Sequence, residues 1–190
     1  MPSFLHIRKN ALTLLIYCAI ALVFVLPFRW FVAQPFIVSG ASMAPTFAPN
    51  QYLIIDEMSY SFTPPKRGDV VVFRYPLDPS FFFVKRIIGV PGDTIDIDHG
   101  KVFVSMKNAT TSHELIEPYV QFANRNDILA PTFLGKDEYY VLGDNRLASS
   151  DSREWGPLQI RNVVGRAVLR VYPVSTMGLV PGGYSFQDVR

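Results

Sequence analysis

The order of apolar and polar residues divides the chain into two unlike parts. Residues 11–28 read ALTLLIYCAIALVFVLPF and contain no charged side chain. As a helix this run would rise about 27 Å, close to the roughly 30 Å hydrocarbon core of a bilayer. From residue 36 onward, short runs rich in β-branched and aromatic residues alternate with turn signals. The pattern therefore predicts one membrane-spanning helix followed by a domain built from β-strands.

The second part of the chain shows almost no helical periodicity. Its turn signals are TPPKRGD, PLDPS, VPGD, DHGK and VPGG, in which proline and glycine supply the backbone angles of tight reversals. We predict an all-β domain whose antiparallel sheet is partly closed, because closure limits exposed strand edges. Residues 105–132 are polar and irregular by comparison and are expected to form a surface excursion. The predicted strands lie at 51–56, 69–75, 81–90, 94–98, 101–104, 138–143 and 163–173.

Charged residues that flank the apolar run indicate its orientation. Basic side chains at positions 6, 8 and 9 precede it, whereas Arg29 alone follows closely. By the positive-inside rule the N-terminus then lies in the cytoplasm and the remainder outside. A cleavable signal peptide has the same charge order, but this run is longer than the usual apolar segment and lacks a small-x-small cleavage site. We therefore expect a cytoplasmic N-terminus at 1–10, a retained transmembrane anchor at 11–32 and an extracytoplasmic β-rich domain at 33–190.

Composition excludes several classes of function. The net charge is +2 and the basic residues are scattered, which gives no electrostatic footprint for nucleic acid. The single cysteine, Cys18, lies within the apolar run, so neither a disulfide framework nor a cysteine-based metal site is expected. The histidines are His6, His99 and His113, and none has an apolar or oriented setting. We predict no metal, no cofactor and no histidine-based catalytic site.

One serine stands out because small residues flank it. Ser42 lies in the stretch VSGASMAPTF at 38–47, which is either an ordinary loop or the site of a nucleophile. A serine hydroxyl needs a base, and lysine can serve only if burial lowers its pKa toward neutrality. Strand alternation in FFFVKRII places Lys85 on the same face as Phe83 and Ile87. If that face is inward, Lys85 is a candidate base; the alternative is that its long side chain reaches water from a strand edge.

A third polar stretch has the composition of a loop held by local hydrogen bonds. Residues 143–156 read GDNRLASSDSREWG, rich in short hydroxyl and Asx side chains. Asp151 and Arg153 are two residues apart and could pair on one side of an extended segment. Such a pair could brace the loop and hold a hydroxyl such as that of Ser149 against the lysine amine.

These stretches, in this order, resemble the type I signal peptidases, the membrane-anchored Ser/Lys endopeptidases that remove signal peptides from exported preproteins. VSGASMAPT resembles the nucleophile box of that family, and RGDVVVFRYP at 67–76 resembles the strand that follows it. FVKRIIGVPGD at 83–93 resembles the lysine box, and GDNRLASSDSREWG resembles the C-terminal box. The resemblance covers the anchor and about residues 36–166. It implies a bacterial cytoplasmic membrane protein with coiled antiparallel sheets, signal peptides and the lipid bilayer as partners, and no cofactor.

Carried over residue by residue, the resemblance assigns roles to individual side chains. It implies that Ser42 is the nucleophile, with its own backbone N–H facing the oxyanion, and that Lys85 is the general base. It further implies that Ser149 orients the amine, that Asp151 and Arg153 support the loop, and that Asp144 is structural. Some members carry a serine where this chain has Gly40, so a side-chain oxyanion donor is not expected here. In the family, small residues, typically Ala-x-Ala, precede the scissile bond of the substrate. The positions implied to contact them are Phe36, Val38, Gly40, Met43, Val72, Phe83 and Val84.

Two other hypotheses remain open from the residues alone. Residues 40–44, GASMA, approximate the G-x-S-x-G nucleophile elbow of α/β-hydrolases, which requires alternating strands and helices and a late histidine. A tethered β-domain that binds exported proteins without cleaving them is the non-enzymatic hypothesis, and it treats the serine and lysine as coincidental. A mitochondrial or plastid relative is also compatible with the resemblance.

Overall fold

The computed structural model describes residues 13–23, 33–107, 111–123 and 126–186. Residues 13–23 form a helix, α1, whose large apolar side chains are exposed. Across these described ranges, no helix has both the length and the hydropathy that crossing a bilayer requires. The predicted N-terminal segment 1–10 lies outside the described residues, as do 11–12 and 24–32 of the predicted anchor and 187–190 of the predicted domain.

The remaining elements are strands and very short helices, so the predicted antiparallel β-sheet fold is confirmed. A single further α-helical turn, α2, spans Ser152–Trp155 in the described part of the chain. The strands are β1 (Ala33–Ile37), β2 (Tyr52–Asp56), β3 (Val70–Tyr75), β4 (Asp78–Gly89), β5 (Thr94–Asp98), β6 (Lys101–Ser105), β7 (His113–Glu114), β8 (Leu129–Phe133), β9 (Glu138–Leu142), β10 (Leu158–Gln159), β11 (Val163–Tyr172) and β12 (Gly178–Leu179).

The larger sheet has the strand order β1-β2-β11-β3-β4-β9-β10, with β12 paired to β11. Its register shifts at several points, including between Ala167 and Leu169 where β11 pairs with β2. Such bulges bend a strand and increase its twist, which coils the sheet. Alternating side chains of β2 and β3 contribute to a buried cluster, the first core. It is formed by Val38, Met43, Phe47, Leu53, Ile55, Val70, Val72 and Ala167.

The smaller sheet has the order β7-β6-β5-β8. Its β5–β6 hairpin alternates buried residues with half-buried or exposed ones, and the buried ones pack against the C-terminal half of β4 and against β9. This second core contains Ile88, Ile95, Ile97, Val102, Val104, Leu115, Leu134, Tyr140 and Leu142.

The prediction that 105–132 form an irregular surface excursion is wrong in part. Strand β8 begins at Leu129 and pairs with the second edge of β5. Pro131 is tolerated in β8 because β8 is an edge strand. Leu115 is buried in the second core, and Tyr119 packs beneath the guanidinium of Arg86. Tertiary contacts therefore order much of a segment that has little periodicity of its own.

Strand β4 connects the two cores and carries the basic residues of interest. Its first half is exposed and its second half is buried. Alternation holds as predicted. Ile87 belongs to a third buried cluster, against which Phe83 packs, whereas Val84 packs against the first core, which contains Val38 and Met43. Both faces of β4 are thus internal at Lys85 and Arg86, which are 4% and 1% exposed.

Candidate active site

Residues 38–47, which resemble the nucleophile box and which we therefore call the nucleophile turn, form a compact turn after β1 with Ser42 near its tip. The Ala44 N–H donates to the Ala41 carbonyl (3.1 Å), and the Phe47 N–H donates to the Met43 carbonyl (2.8 Å). Met43 and Phe47 are 1% and 0% exposed and hold the turn on the first core. The polar tip and the apolar underside together present the Ser42 hydroxyl toward β4.

Lys85 reaches the nucleophile turn from the middle of β4. Its Nζ lies 2.7 Å from Ser42 Oγ, which is hydrogen-bond distance. Burial disfavours the charged ammonium and lowers the pKa of Lys85 to about 8, although the carboxylate of Asp151 opposes this shift. The ring of Phe83 lies 5.2 Å from Nζ and contributes to that burial. The site thus contains a serine hydroxyl within hydrogen-bond distance of an amine that loses its proton around pH 8.

The neighbouring residue, Arg86, has the opposite environment. Its Nε and Nη2 donate to the two carboxylate oxygens of Asp144 at 2.8 and 2.6 Å. Its Nη1 donates to the carbonyl oxygens of Gly68 (3.1 Å) and Gly182. The hydroxyl of Thr46, in the nucleophile turn, donates to the same carboxylate. Arg86 and Asp144 therefore join β4, the nucleophile turn and the start of the 143–156 loop.

A second ion pair braces the 143–156 loop. Asp151 is fully buried and accepts hydrogen bonds from Arg153 Nε and Nη2, both at 2.8 Å, and from the Gly143 N–H at 3.0 Å. Burial alone would raise the pKa of Asp151, but these bonds and the charge of Arg153 hold that pKa below its ordinary value. Asp151 also caps α2 by accepting from the Arg153 N–H. Arg153 contacts Asp127 as well, so the loop is fastened on two sides.

Ser149 differs from its sequence-based expectation. Its Oγ is buried and does not bond to the Lys85 amine as expected; it lies instead beside the Asp151 carboxylate, whose pKa it helps to lower. The hydroxyl also packs against Gly143, where an added Cβ would lie 2.6 Å from the Ser149 Cβ and 2.5 Å from the Ser42 carbonyl oxygen. Only glycine allows this close approach, which brings the loop against the nucleophile turn.

Two residues at this site were missed by the sequence analysis. Asn145 donates from its N–H to the Ser42 carbonyl (3.0 Å) and from its side-chain amide to the Ala41 carbonyl (3.2 Å). Arg86 is the second, and strand alternation places it on the face of β4 opposite to Lys85. The strand pattern signals that Arg86 is buried, and a buried charge requires a partner, but identifying that partner as Asp144 needs the tertiary structure.

A cavity of about 360 Å³ opens beside Ser42 and Lys85. It lies between the residues around β1 and the first half of β4, and the rings of Phe36 and Phe82 meet across it at 5.5 Å. Six of the residues expected to contact substrate line the cavity, whereas Met43 does not, because its side chain fills the core beneath the turn. The lining is Phe36, Ile37, Val38, Ser39, Gly40, Ala41, Ser42, Leu53, Val72, Phe81, Phe82, Phe83, Val84, Lys85, Ala148 and Ser150.

Gly40 begins the turn with a positive φ of 82°. An added Cβ would meet nothing within 4 Å, so the backbone conformation rather than space disfavours a side chain here. The histidines lie elsewhere: His99 and His113 are exposed on the smaller sheet, and His6 lies outside the described residues.

Comparison with protein families identifies the chain. The sequence profile of the family described as signal peptidase, peptidase S26, matches residues 11–172. The chain belongs to the signal peptidase family. A signal peptidase I from Leptolyngbya laminosa is 36% identical, with 84% of this chain and 78% of that protein aligned. A probable signal peptidase I-1 from Synechocystis sp. is 32% identical, with 100% of this chain and 95% of that protein aligned.

Membership of the signal peptidase family confirms the predicted enzyme class, a serine peptidase of the signal peptidase I type. A crystal structure of a signal peptidase I from Enterococcus faecalis V583 aligns with a TM-score of 0.46 at 24% identity. That alignment covers 56% of this chain and 98% of the crystallised one. The α/β-hydrolase hypothesis is wrong, because β1 and β2, which flank Ser42 in sequence, pair antiparallel, and the single turn α2 is the only α-helix between strands in the described residues.

Proposed function

We propose that the protein is a membrane-bound serine endopeptidase that uses Ser42 and Lys85 to remove N-terminal signal peptides from exported preproteins. The observation that supports this most directly is the 2.7 Å contact between Ser42 Oγ and the Nζ of a lysine that is 4% exposed. An exposed lysine would remain protonated at neutral pH and could not accept a proton. The family of the chain points to the same activity on preproteins.

In the proposed acylation step, neutral Lys85 accepts the Ser42 hydroxyl proton while Oγ attacks the carbonyl carbon of the scissile peptide bond. The tetrahedral intermediate then collapses, and the departing amine of the mature protein takes the proton from the Lys85 ammonium. An ester between Ser42 and the signal peptide remains. Neutral Lys85 next accepts a proton from a water molecule that attacks this ester. The Lys85 ammonium then returns that proton to Ser42 Oγ as the signal peptide leaves with a free carboxylate.

The proposed oxyanion donor is the backbone N–H of Ser42. In the described part of the chain no acceptor is bonded to this N–H, which leaves it free for a developing negative charge. Gly40 offers no hydroxyl for the same purpose. Ser149, Asp151 and Arg153 are proposed as positioning residues. In this proposal the Ser149 hydroxyl becomes a partner of the amine only when substrate is bound.

The cavity suggests how a substrate would lie. Strand β1 pairs with β2 on one edge, and Phe82 to Lys85 of β4 pair with β3 on one edge. Within the described residues, each therefore keeps an unpaired edge beside the cavity. We propose that the residues before the scissile bond lie extended between these edges. Val38, Val72 and Val84 line the cavity that contains Ser42, and we propose that this apolar lining receives small residues such as those of Ala-x-Ala.

The location follows from the same proposal. We propose residues 11–32 as a single-pass anchor in a bacterial cytoplasmic membrane, with 1–10 in the cytoplasm and the catalytic domain 33–190 outside. The large apolar side chains of α1 are about half to two-thirds exposed, and a lipid environment would cover them. An anchored enzyme also shares the bilayer with the signal peptide that it cleaves.

The test is cleavage of a preprotein with an Ala-x-Ala junction by the full-length chain in detergent, with products located by mass spectrometry. We expect cleavage at that junction by the wild type and none by Ser42→Ala or Lys85→Ala. The wild-type kcat/KM should rise with pH through about 8, because the pKa of Lys85 is lowered to that value and only the neutral amine is a base. Equal cleavage by all three proteins would refute the dyad, and binding without cleavage by a folded wild type would favour a binding module.

A further inference from the structure

The C-terminal segment 178–186 folds back across the face of β4 that carries Arg86. The Tyr184 N–H donates to the Gly68 carbonyl (3.3 Å), and Phe186 packs against the core of the smaller sheet. The ring of Tyr184 contacts those of Phe186 and Tyr119 at centroid distances of 4.8 and 5.4 Å. Backbone and aromatic contacts therefore hold the segment in a defined position on the domain.

Within this segment, Gly182 contacts two parts of the site at once. Its carbonyl accepts a hydrogen bond from Arg86 Nη1. Its Cα faces the nucleophile turn, because a Cβ built on Gly182 would overlap the Cγ2 methyl of Thr46 and lie 3.5 Å from Phe47. The positive φ of 74° makes a side chain unfavourable there as well.

Thr46 connects Gly182 to the buried ion pair. Its hydroxyl donates to Asp144 Oδ2, the same oxygen that accepts from Arg86 Nη2 at 2.6 Å. The methyl and the hydroxyl of threonine share one Cβ, so the methyl cannot rotate away without breaking the bond to Asp144. Thr46 lies four residues after Ser42 in the same turn. A displacement at position 182 would therefore reach both the ion pair and the turn that carries the nucleophile.

We propose that Gly182 is a positioning residue for catalysis. With no side chain, it lets the C-terminal segment press against Thr46 while its carbonyl completes the hydrogen bonding of Arg86. The inference rests on the proposed role of Ser42 as nucleophile, because the turn that Gly182 supports is the turn that presents Ser42. Gly182 does not line the cavity beside Ser42; its neighbours are Arg86, Thr46, Phe47 and Val70, so it acts on Ser42 through them.

The test compares Gly182→Ala with wild type in the preprotein cleavage assay, using the full-length chain in detergent. We expect kcat to fall about 10- to 100-fold, since small misplacements of reacting groups have effects of this size. KM should stay unchanged because neither Gly182 nor Thr46 lines the cavity beside Ser42. Gly92→Ala is the matched control for backbone strain, since Gly92 also has a positive φ (93°) but faces the flexible side chain of Lys107. Gly178→Ala is the control within the same segment, because a Cβ there meets nothing within 4 Å.

A second substitution separates positioning from loss of stability. Adding Thr46→Ser to Gly182→Ala removes the overlapping methyl and keeps the hydroxyl for Asp144, so we expect the double variant to recover most of the lost kcat. All proteins are assayed below their unfolding temperatures, as measured by circular dichroism. The inference is overturned if Gly182→Ala keeps the wild-type kcat, if serine at 46 restores nothing, or if Gly92→Ala loses as much. Ser42→Ala in the same assay tests the proposed nucleophile separately, since full activity of that variant would refute the dyad whatever happens at Gly182.

Discussion

Lys85 and Arg86 are adjacent on β4, are almost equally buried, and have opposite electrostatic environments. Arg86 is surrounded by acceptors, with two carboxylate contacts to Asp144 and two backbone carbonyls. Among the described residues, Lys85 has only the Ser42 hydroxyl within hydrogen-bond distance, and the ring of Phe83 lies nearby. Burial without a paired anion lowers the pKa of Lys85 to about 8. Pairing with Asp144 offsets the desolvation cost of burying the Arg86 guanidinium.

The difference shows that burial alone does not determine what a basic residue does. A buried cation with a matched carboxylate organises structure, and in this protein it joins β4 to the nucleophile turn and to the 143–156 loop. A buried amine without a carboxylate in contact is poised to give up its proton, and becomes useful where a hydroxyl is placed beside it. Strand alternation separates these two roles by one residue, since successive side chains point to opposite faces.

Removing the carboxylate charge that pairs with Arg86 should have the largest effect on the free energy of unfolding. Asp144→Asn leaves the guanidinium of Arg86 buried without a compensating charge. Removing one partner of a buried pair typically lowers the free energy of unfolding by about 3–5 kcal/mol. Urea unfolding followed by circular dichroism measures this change. A free energy of unfolding equal to that of the wild type would show that Asp144 does not carry the pairing.

Removing the charge on the Lys85 side should stabilise the fold while abolishing catalysis. With a pKa of about 8 in the folded state and 10.5 ordinarily, burying the ammonium destabilises the fold by about 3 kcal/mol at pH 7. Lys85→Met lacks this penalty and should therefore be more stable than wild type at pH 7. The unfolded wild type binds a proton between pH 8 and 10.5 that the folded wild type does not, so wild-type stability should rise with pH and the gap should close. A gap that is constant across this pH range, in urea unfolding at several pH values, would argue against an unpaired buried amine.

An exposed ion pair provides a comparison with the buried pair of Arg86 and Asp144. Breaking it should have the smallest effect on the free energy of unfolding. Lys101 and Glu114 lie 3.0 Å apart on the smaller sheet, with side chains 60% and 46% exposed. Glu114→Gln should change the free energy of unfolding by about 0.5 kcal/mol or less, because water screens such pairs. The same urea experiment as for Asp144→Asn gives a direct comparison. A loss as large as that from Asp144→Asn would mean that burial is not what makes the Arg86 pair important.

The sequence by itself determined the fold class and the motifs of the site. Turn signals and β-branched runs predicted most strands of the larger sheet, since local backbone preferences and alternation act over a few residues. Alternation also placed Lys85 with Phe83 and Ile87 before any tertiary contact was known. The order of the four motifs was sufficient to indicate the signal peptidase family, which the family comparison confirms.

The tertiary structure alone decided which side chains meet. Nothing local indicates that β8 completes the smaller sheet, that Arg86 pairs with Asp144 58 positions away, or that Gly182 presses on Thr46. The expected bond from Ser149 to Lys85 and the expected exposure of Met43 to the cavity also depended on such contacts, and the structure differs at both positions. Long-range pairing depends on how the coiled sheet closes and on which polar groups remain to be satisfied inside it, and neither is encoded in the spacing of neighbouring residues.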